Sequence, residues 1–239
     1  MGTGFVPQLA DWVETIKRDA TLHAVVVEGG SRYFSAGASR GYLIQTQEDT
    51  GHPGKSFPAE HILELPPLLL SIPVPTVAAM AGHGIGGGFI LGLWCDIPVL
   101  AEQSLYGMNF MALGFTPGPG AIVALEETVG VPLARELILT GRLVKGHELK
   151  ANGGPLAHAI VPKDQVRTRA LEIATDLESV PRASLLLLKG VLSTRRREDF
   201  QQVLPHEIAM QRTLFSSTEI RRVIAERYVT LSASEGSGS

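Results

Sequence analysis

A glycine-rich stretch at residues 82–89, GHGIGGGF, is the first candidate for chemistry in this 239-residue chain. It follows TVAAMA, six uncharged residues with the pattern of a buried strand. Five glycines in eight residues disfavour a helix, but they let backbone N–H groups approach a ligand because no side chain intervenes. A helix that begins near Gly86 would add the positive end of its dipole. The stretch therefore predicts a site for a negatively charged or polarised group.

One interpretation of the stretch is a dinucleotide-binding loop. Gly82, Gly84 and Gly87 satisfy G-x-G-x-x-G after a strand, and Glu102 lies twenty residues beyond Gly82. Against it, residues 86–95 leave room for only about ten helical residues at about 1.5 Å each, which is a short crossover for a nucleotide-binding fold. A single match of this kind is the weaker interpretation.

The other interpretation pairs the stretch with an earlier loop, FSAGAS, at Phe34 to Ser39. Each loop follows a predicted strand, and two such loops on neighbouring strands can direct one N–H group apiece at a common point. That arrangement is an oxyanion hole for a thioester carbonyl, whose oxygen gains charge in the transition state. Loss of one such donor typically raises the barrier by about 2.7–4 kcal/mol.

Composition and charge exclude other classes of function. A formal net charge of −3 gives no general attraction to nucleic acid or to an anionic membrane, and the basic run Lys189 to Arg197 is expected to be a solvated helix face. The single cysteine, Cys95, excludes an internal disulfide and is expected to be a buried thiol in a reducing compartment. Asp96 beside it is expected to satisfy backbone groups. Four prolines and six glycines break the uncharged segment 66–95 into short buried elements, so no membrane span is predicted. With no signal peptide expected, the predicted location is the cytoplasm.

Strands and helices alternate up to about residue 101, and helices predominate after residue 120. The alternation predicts an α/β fold with right-handed crossovers. Strands are predicted at His23–Val27, Thr76–Ala81 and Ile97–Ala101, and helices at Pro7–Asp19, Ala59–Ser71, Gly86–Trp94, Ile122–Val129, Ala134–Thr140, Gln165–Leu177, Arg182–Ser193 and Phe200–Phe215. The polar segment 40–56 is predicted to be a mobile loop, and the tail from Ser232 to be flexible.

Four segments in order resemble the crotonase (enoyl-CoA hydratase/isomerase) superfamily, over about residues 5–230: HAVVVEGGSRYFSAGAS, VPTVAAMAGHGIGGGF, FTPGPGA and ARELILTGR. The resemblance implies a crotonase-type β-β-α spiral core at 1–195, in which the first strands are short or missing. It also implies a helical C-terminal trimerisation and active-site region at 196–231, followed by a flexible tail at 232–239. A homotrimer or a dimer of trimers is expected.

The resemblance places the oxyanion hole on the amides of Ala38 and Gly87, with Gly86 beside them. It also shows a departure from the hydratases, because Ile90 and Phe110 stand where those enzymes carry their two catalytic glutamates. Without a carboxylate at either position, no group is available there to activate water. Phe110 is instead a candidate substrate-binding residue.

Within the superfamily, GHGIGGGF, NFMALGFTPGPGA and the lysine of GHPGKSF resemble the decarboxylases of polyketide β-branching. Those enzymes act on a 3-methylglutaconyl thioester carried on an acyl carrier protein. The resemblance implies no cofactor, because the substrate is itself a phosphopantetheine or CoA thioester. It implies no nucleic-acid partner.

The candidate catalytic side chains are Lys55, Tyr42 and His206. Lys55 would orient the departing carboxylate, and Tyr42 or His206 would return a proton to carbon. Gln211 stands where this branch carries a histidine in a segment like E-x-A-M-H; its amide binds a carboxylate but delivers no proton. Two alternatives stay open: an isomerase or hydratase acting on a CoA thioester, and a catalytically inactive thioester-binding subunit.

Overall fold

The computed structural model describes residues 1–2, 4–39, 41–42, 62–215, 217–220, 222–223 and 226. Lys55 and the predicted tail lie outside the described residues, as does the predicted mobile loop apart from residues 41 and 42. The described chain forms two four-stranded sheets with helices packed around them.

The first six strands alternate between the two sheets. They are β1 (Val25–Glu28), β2 (Tyr33–Ser35), β3 (Thr76–Met80), β4 (His83–Ile85), β5 (Ile97–Ala101), β6 (Leu105–Gly107), β7 (Val144–Lys145) and β8 (Ile160–Val161). The first sheet has the order β1-β3-β5-β8 and the second β2-β4-β6-β7, with every pair parallel except the antiparallel β6 and β7. Each of β1, β3 and β5 is followed after a short turn by a strand of the other sheet. This repetition confirms the predicted β-β-α spiral.

The helices are α1 (Phe5–Arg18), α2 (Leu65–Leu70), α3 (Gly87–Leu93), α4 (Phe110–Leu113), α5 (Ala121–Val129), α6 (Val131–Thr140), α7 (Gly146–Ala151), α8 (Val166–Glu178) and α9 (Arg182–Phe215), with 3-10 turns at Ala157–Ala159 and Lys163–Gln165. All seven residues of α3 are buried, as are the five of β3. None of the described helices is long and apolar enough to cross a membrane.

The strand β4 lies inside the glycine-rich stretch, where a continuous loop was predicted. A Cβ atom on Gly82 would lie 2.5 Å from the backbone carbon of Tyr33, and one on Gly84 would lie 3.0 Å from Met80 Cε. Gly82 is therefore required where the chain passes the backbone of Tyr33, whereas a side chain at Gly84 would need the Met80 side chain to shift. The nucleotide interpretation is wrong, because Gly84 is part of a strand and Glu102 forms an ion pair with Lys150 at 2.6 Å.

The helix α9 is continuous over 34 residues, where two helices with a break at 194–199 were predicted. The polar residues at 194–199 continue the helix, and one of them faces the core. Arg196 donates hydrogen bonds to the carbonyl oxygens of Leu93, Trp94 and Cys95, and its guanidinium lies 4.8 Å from the Trp94 ring centroid. It thus satisfies carbonyl groups at the C-terminal end of α3.

The expectation of a solvated basic face is also wrong at Lys189, whose side chain is only 3% exposed. Its Nζ lies 2.7 Å from Asp96 Oδ1, while Asp96 Oδ2 accepts hydrogen bonds from the Thr76 amide and hydroxyl at 2.7 and 2.9 Å. The structural role predicted for Asp96 is confirmed. Cys95 is buried as predicted, and desolvation raises the pKa of its thiol to about 12, so it is not a reactive nucleophile.

Candidate active site

The N-terminus of α3 presents unpaired backbone amides. Gly86 precedes the helix with φ 55° and ψ −127°, a conformation that side chains rarely allow. Its carbonyl oxygen accepts the first hydrogen bonds of the helix, from Phe89 N and Ile90 N at 3.0 and 3.2 Å. The N–H groups of Gly87 and Gly88 therefore have no acceptor within the helix.

The loop after β2 passes directly beside these amides. A Cβ atom on Gly37 would lie 3.2 Å from Gly87 N, and one on Gly88 would lie 2.1 Å from Ser35 O. Both positions require glycine because the backbones themselves are in contact. Ala38, the next residue, is half-buried. The structure thus brings together the two loops that the oxyanion-hole prediction pairs, and the roles of the Ala38 and Gly87 amides stay a prediction.

An apolar wall lies next to the two loops. Leu113 and Phe115 are buried together, and Ala38, Phe110, Leu214 and Ile220 pack against them. The Phe110 ring reaches to 3.7 Å from the position of a Cβ on Gly86, and it meets the Phe115 ring edge to face at 5.4 Å. Position 90 is a fully buried isoleucine. Both positions of the hydratase glutamates are therefore apolar in the folded chain.

The first residue of the sequence also contacts this region. The Met1 amine donates a hydrogen bond to Gly37 O, and Ser39 N donates to Met1 O at 2.9 Å. Partial burial lowers the pKa of this amine. Met1 Cε lies 2.8 Å from the position of a Cβ on Gly87. The side chain of Met1 therefore covers one side of the α3 N-terminus.

The last third of α9 packs on the loop at 115–120. Gln211 is 8% exposed, and its Nε2 lies 2.4 Å from the position of a Cβ on Gly118. One turn earlier, Glu207 is wholly buried, and its Oε2 accepts a hydrogen bond from Gly120 N at 2.7 Å. Burial raises the pKa of the Glu207 carboxyl to about 7, against the lowering effect of the Gly120 and Ala121 amides.

Glu207 was not among the residues predicted from the sequence, whereas its neighbour His206 was. The imidazole of His206 is exposed, whereas Glu207 faces the loop. The signal that was available is the spacing of four residues between Glu207 and Gln211, which places both on one side of a helix. The proton-donor role of His206 stays a prediction, and among the described residues no contact of its imidazole with the site supports it.

Tyr42 lies close to the first loop in sequence and in space. Its side chain is 7% exposed, and its amide donates a hydrogen bond to Ser39 Oγ at 3.2 Å. Lys55 falls outside the described residues, so its place relative to the site is still a prediction. Ala38, Gly86, Gly87 and Phe110 are brought together by the fold.

A metal centre and a separate groove are the other possibilities for a site in the part of the chain that the structure describes. It contains no group of three His, Cys, Asp or Glu side chains placed to hold a metal ion. A groove of about 540 Å³ lies at the carboxyl ends of the first sheet's strands and is lined by residues such as Gly29, Ala81 and Gln103. It does not include either of the two loops beside Gly87.

Known proteins share both the sequence and the fold. A family model described as enoyl-CoA hydratase/isomerase matches residues 2–229. The bacillaene synthase decarboxylase PksI of Bacillus subtilis (strain 168) is 34% identical over 215 residues, which are 90% of this chain and 83% of that protein.

Two solved structures are similar at the same level. The ECH2 decarboxylase domain of CurF from Lyngbya majuscula has a TM-score of 0.82 at 32% identity, covering 92% of this chain and 86% of that one. A structure from a dehydratase/decarboxylase enzyme couple involved in polyketide β-branching has a TM-score of 0.82 at 33% identity, covering 92% and 83%. The chain therefore belongs to the enoyl-CoA hydratase/isomerase family, the crotonase superfamily, and within it is similar to the β-branching decarboxylases.

Proposed function

We propose that this chain decarboxylates a 3-methylglutaconyl-type thioester on an acyl carrier protein in polyketide β-branching. The observation that carries the proposal is the contact between the loop after β2 and the N-terminus of α3, where Gly37 approaches Gly87 N. Apolar residues at 90 and 110 support decarboxylation over hydration. The similarity to PksI and to the CurF domain points in the same direction.

The chemistry requires an oxyanion hole and no base. The bond between the carboxylate carbon and its neighbour breaks, CO2 leaves, and the electron pair moves through the double bond onto the thioester oxygen. The amides of Ala38 and Gly87 would hold the resulting dienolate. Lys55 would orient the carboxylate before it leaves. A proton from Tyr42 or His206 would then complete a methylcrotonyl-type product.

The apolar wall suits this reaction because it excludes the water that would solvate the carboxylate. Phe110, Leu113 and Phe115 offer no hydrogen-bonding side chain. A carboxylate held beside them keeps only the partners that the site supplies, while neutral CO2 is not penalised there. A hydratase would need to hold and activate water at the same place.

The first test is mass spectrometry of a carrier-protein thioester. Incubation with the 3-methylglutaconyl form is expected to remove the mass of one CO2. Gly87→Pro removes the amide N–H at a helix position that tolerates proline, and it is expected to lower kcat by about 10²–10³-fold. Gly87→Ala keeps the N–H group and is the matched control.

The same experiment separates the alternatives. A mass increase of one water would favour a hydratase, and an unchanged mass with a shifted double bond would favour an isomerase. Both are alternatives because the matching family model is described as enoyl-CoA hydratase/isomerase. An unchanged thioester that still binds the protein would favour a catalytically inactive subunit. Each of these three outcomes contradicts the decarboxylase proposal.

Self-association is the other part of the proposal. Leu187, Leu188, Val191 and Leu192 are 76, 59, 69 and 49% exposed, and their spacing places them on one side of α9. A solvent-exposed apolar surface of this kind favours burial between subunits. We expect a homotrimer or a dimer of trimers.

The exposed surface of α9 gives a direct test of assembly. The double variant Leu187→Glu with Val191→Glu is expected to sediment as a monomer, because it places charges in the buried contact. Circular dichroism should stay unchanged. Leu139→Glu, at a residue 70% exposed on α6, is the control and should keep the wild-type mass. A monomeric wild-type protein would contradict the expectation.

A further inference from the structure

Three buried polar atoms without a hydrogen-bond partner belong to the loop at 115–120 and to the part of α9 that packs on it. Among the described residues, the buried side-chain atoms without a hydrogen-bond partner are Thr116 Oγ1, Ser193 Oγ, Glu207 Oε1 and Gln211 Oε1. All except Ser193 belong to this one contact. A buried polar atom without a partner costs about 1–3 kcal/mol. Their grouping therefore calls for a physical explanation.

Glu207 and Gln211 are one helical turn apart, and both reach Gly118. A Cβ atom on Gly118 would lie 2.4 Å from Gln211 Nε2 and 3.5 Å from Glu207 Oε2. Glu207 Oε2 already accepts from Gly120 N. The two remaining oxygens, Oε1 of each residue, both act only as acceptors while Glu207 is ionised. Neither can then satisfy the other.

We propose that Glu207 is a neutral carboxylic acid at slightly acidic pH and donates its O–H to Gln211 Oε1, which makes it a positioning residue for the Gln211 amide. One proton satisfies both orphan oxygens. It also fixes the orientation of the Gln211 amide, whose Nε2 hydrogens then face the loop at 115–120. Leu214, three residues further along α9, packs with Phe115 and Ala38. This side of the helix therefore leads to the predicted oxyanion hole.

The proposal rests on the proposed function in one respect, the role of Gln211. There the Nε2 hydrogens of Gln211 bind the substrate carboxylate before CO2 leaves. An amide free to flip would present its oxygen to that carboxylate half of the time and repel it. A neutral Glu207 removes this ambiguity, and an ionised one would instead attract the Gln211 Nε2 group towards itself.

The surroundings of Glu207 favour the neutral form. Burial raises the pKa of its carboxyl to about 7, and no charged side chain contributes. The loop presents Thr116 and Gly118, and α5 presents only the amides of Gly120 and Ala121 at its N-terminus. On α9 itself the neighbouring charged or titratable side chains, His206 and Arg212, are exposed.

Infrared spectroscopy tests the protonation without any assay of activity. The difference spectrum between wild type and Glu207→Gln is expected to show the C=O stretch of a protonated carboxyl, which disappears as the pH rises through about 7. Absence of that band at pH 6 would overturn the proposal. If Glu207→Gln does not fold, Gln211→Leu decides: the band should move to higher frequency because the acid loses its acceptor, and an unmoved band overturns it.

Kinetics test the positioning role. Glu207→Gln keeps a neutral donor and should retain the wild-type kcat and KM within about twofold at pH 6, whereas Glu207→Ala should raise KM by about tenfold or more. The KM of the wild type should rise above pH 7, and that of Glu207→Gln should stay flat. A KM of Glu207→Gln that is raised as much as that of Glu207→Ala would overturn the positioning role. If the wild-type protein shows no decarboxylation at any pH, the proposed function is refuted. The infrared test of Glu207 protonation does not depend on that outcome.

Discussion

Replacement of Lys189 by methionine is expected to lower the free energy of unfolding by about 3–5 kcal/mol, which is the usual effect of removing one partner of a buried ion pair. The Lys189 ammonium lies 2.7 Å from Asp96 Oδ1, with side chains 3% and 12% exposed. Methionine keeps most of the apolar stem but leaves the Asp96 carboxylate buried without its counter-charge. Urea denaturation at pH 7 and a fixed protein concentration measures the change.

Lys150 provides a matched control on the same fold. It forms an ion pair with Glu102 at 2.6 Å, but the two side chains are 46% and 27% exposed. Lys150→Met should therefore change the free energy of unfolding by about 1 kcal/mol or less. Equal losses from the two substitutions would contradict the distinction between a buried and an exposed pair.

A second substitution shows whether the loss comes from the unpaired charge. Asp96→Asn in the Lys189→Met background should recover part of the stability, because the amide oxygen still accepts from Thr76 and carries no charge. If the double variant is less stable than Lys189→Met alone, the carboxylate is needed for a reason other than its pairing. The pair matters for the site because it joins α9 to the segment directly after α3.

Replacement of Lys55 by alanine is expected to abolish most of the proposed decarboxylation. A cation that orients the leaving carboxylate contributes at the reacting centre, where loss of one such group typically lowers kcat by about 10²–10³-fold. An isomerase would not need this charge, since its substrate carries no carboxylate to lose. Release of CO2 from the 3-methylglutaconyl carrier protein, followed at saturating substrate, measures the effect.

Lys17 is the control for the charge itself. It is an exposed lysine on α1 whose ion pair with Glu14 joins residues three apart, so Lys17→Ala should keep the wild-type kcat. Lys55→Arg retains the positive charge with a different shape, and it should recover only part of the activity. Full activity in Lys55→Ala would refute the role of Lys55 and would favour the isomerase alternative.

Local patterns in the chain were sufficient to predict the alternation of strands and helices in the first part of the chain and the two loops of the site. GHGIGGGF and FSAGAS each follow a short apolar strand, and glycine at positions 37 and 88 is required because backbone groups approach each other there. Such requirements depend on residue type alone, since no other side chain fits. The apolar character of positions 90 and 110 was also predictable, because it follows directly from the identity of Ile90 and Phe110.

The direction of polar side chains on α9 was not predictable. The run from Lys189 to Arg197 looks like a solvated surface, yet Lys189 and Arg196 turn inward to Asp96 and to the end of α3. The partners are about 93 and 103 residues away in the chain, and a local pattern contains no information on contacts of that range. The predicted break in the helix at 194–199 was also wrong, because the contacts of Arg196 within this segment are equally distant in the chain.

The sequence by itself determined the family and, through the family resemblance, the spiral of strands, and it predicted which backbone amides bind a thioester oxygen, because each depends on short motifs whose glycines allow few conformations. Only the tertiary structure decided that Glu207, and not His206, faces the loop at 115–120. Which side of a long helix is buried depends on what packs against it. The raised pKa of Glu207 follows from that burial.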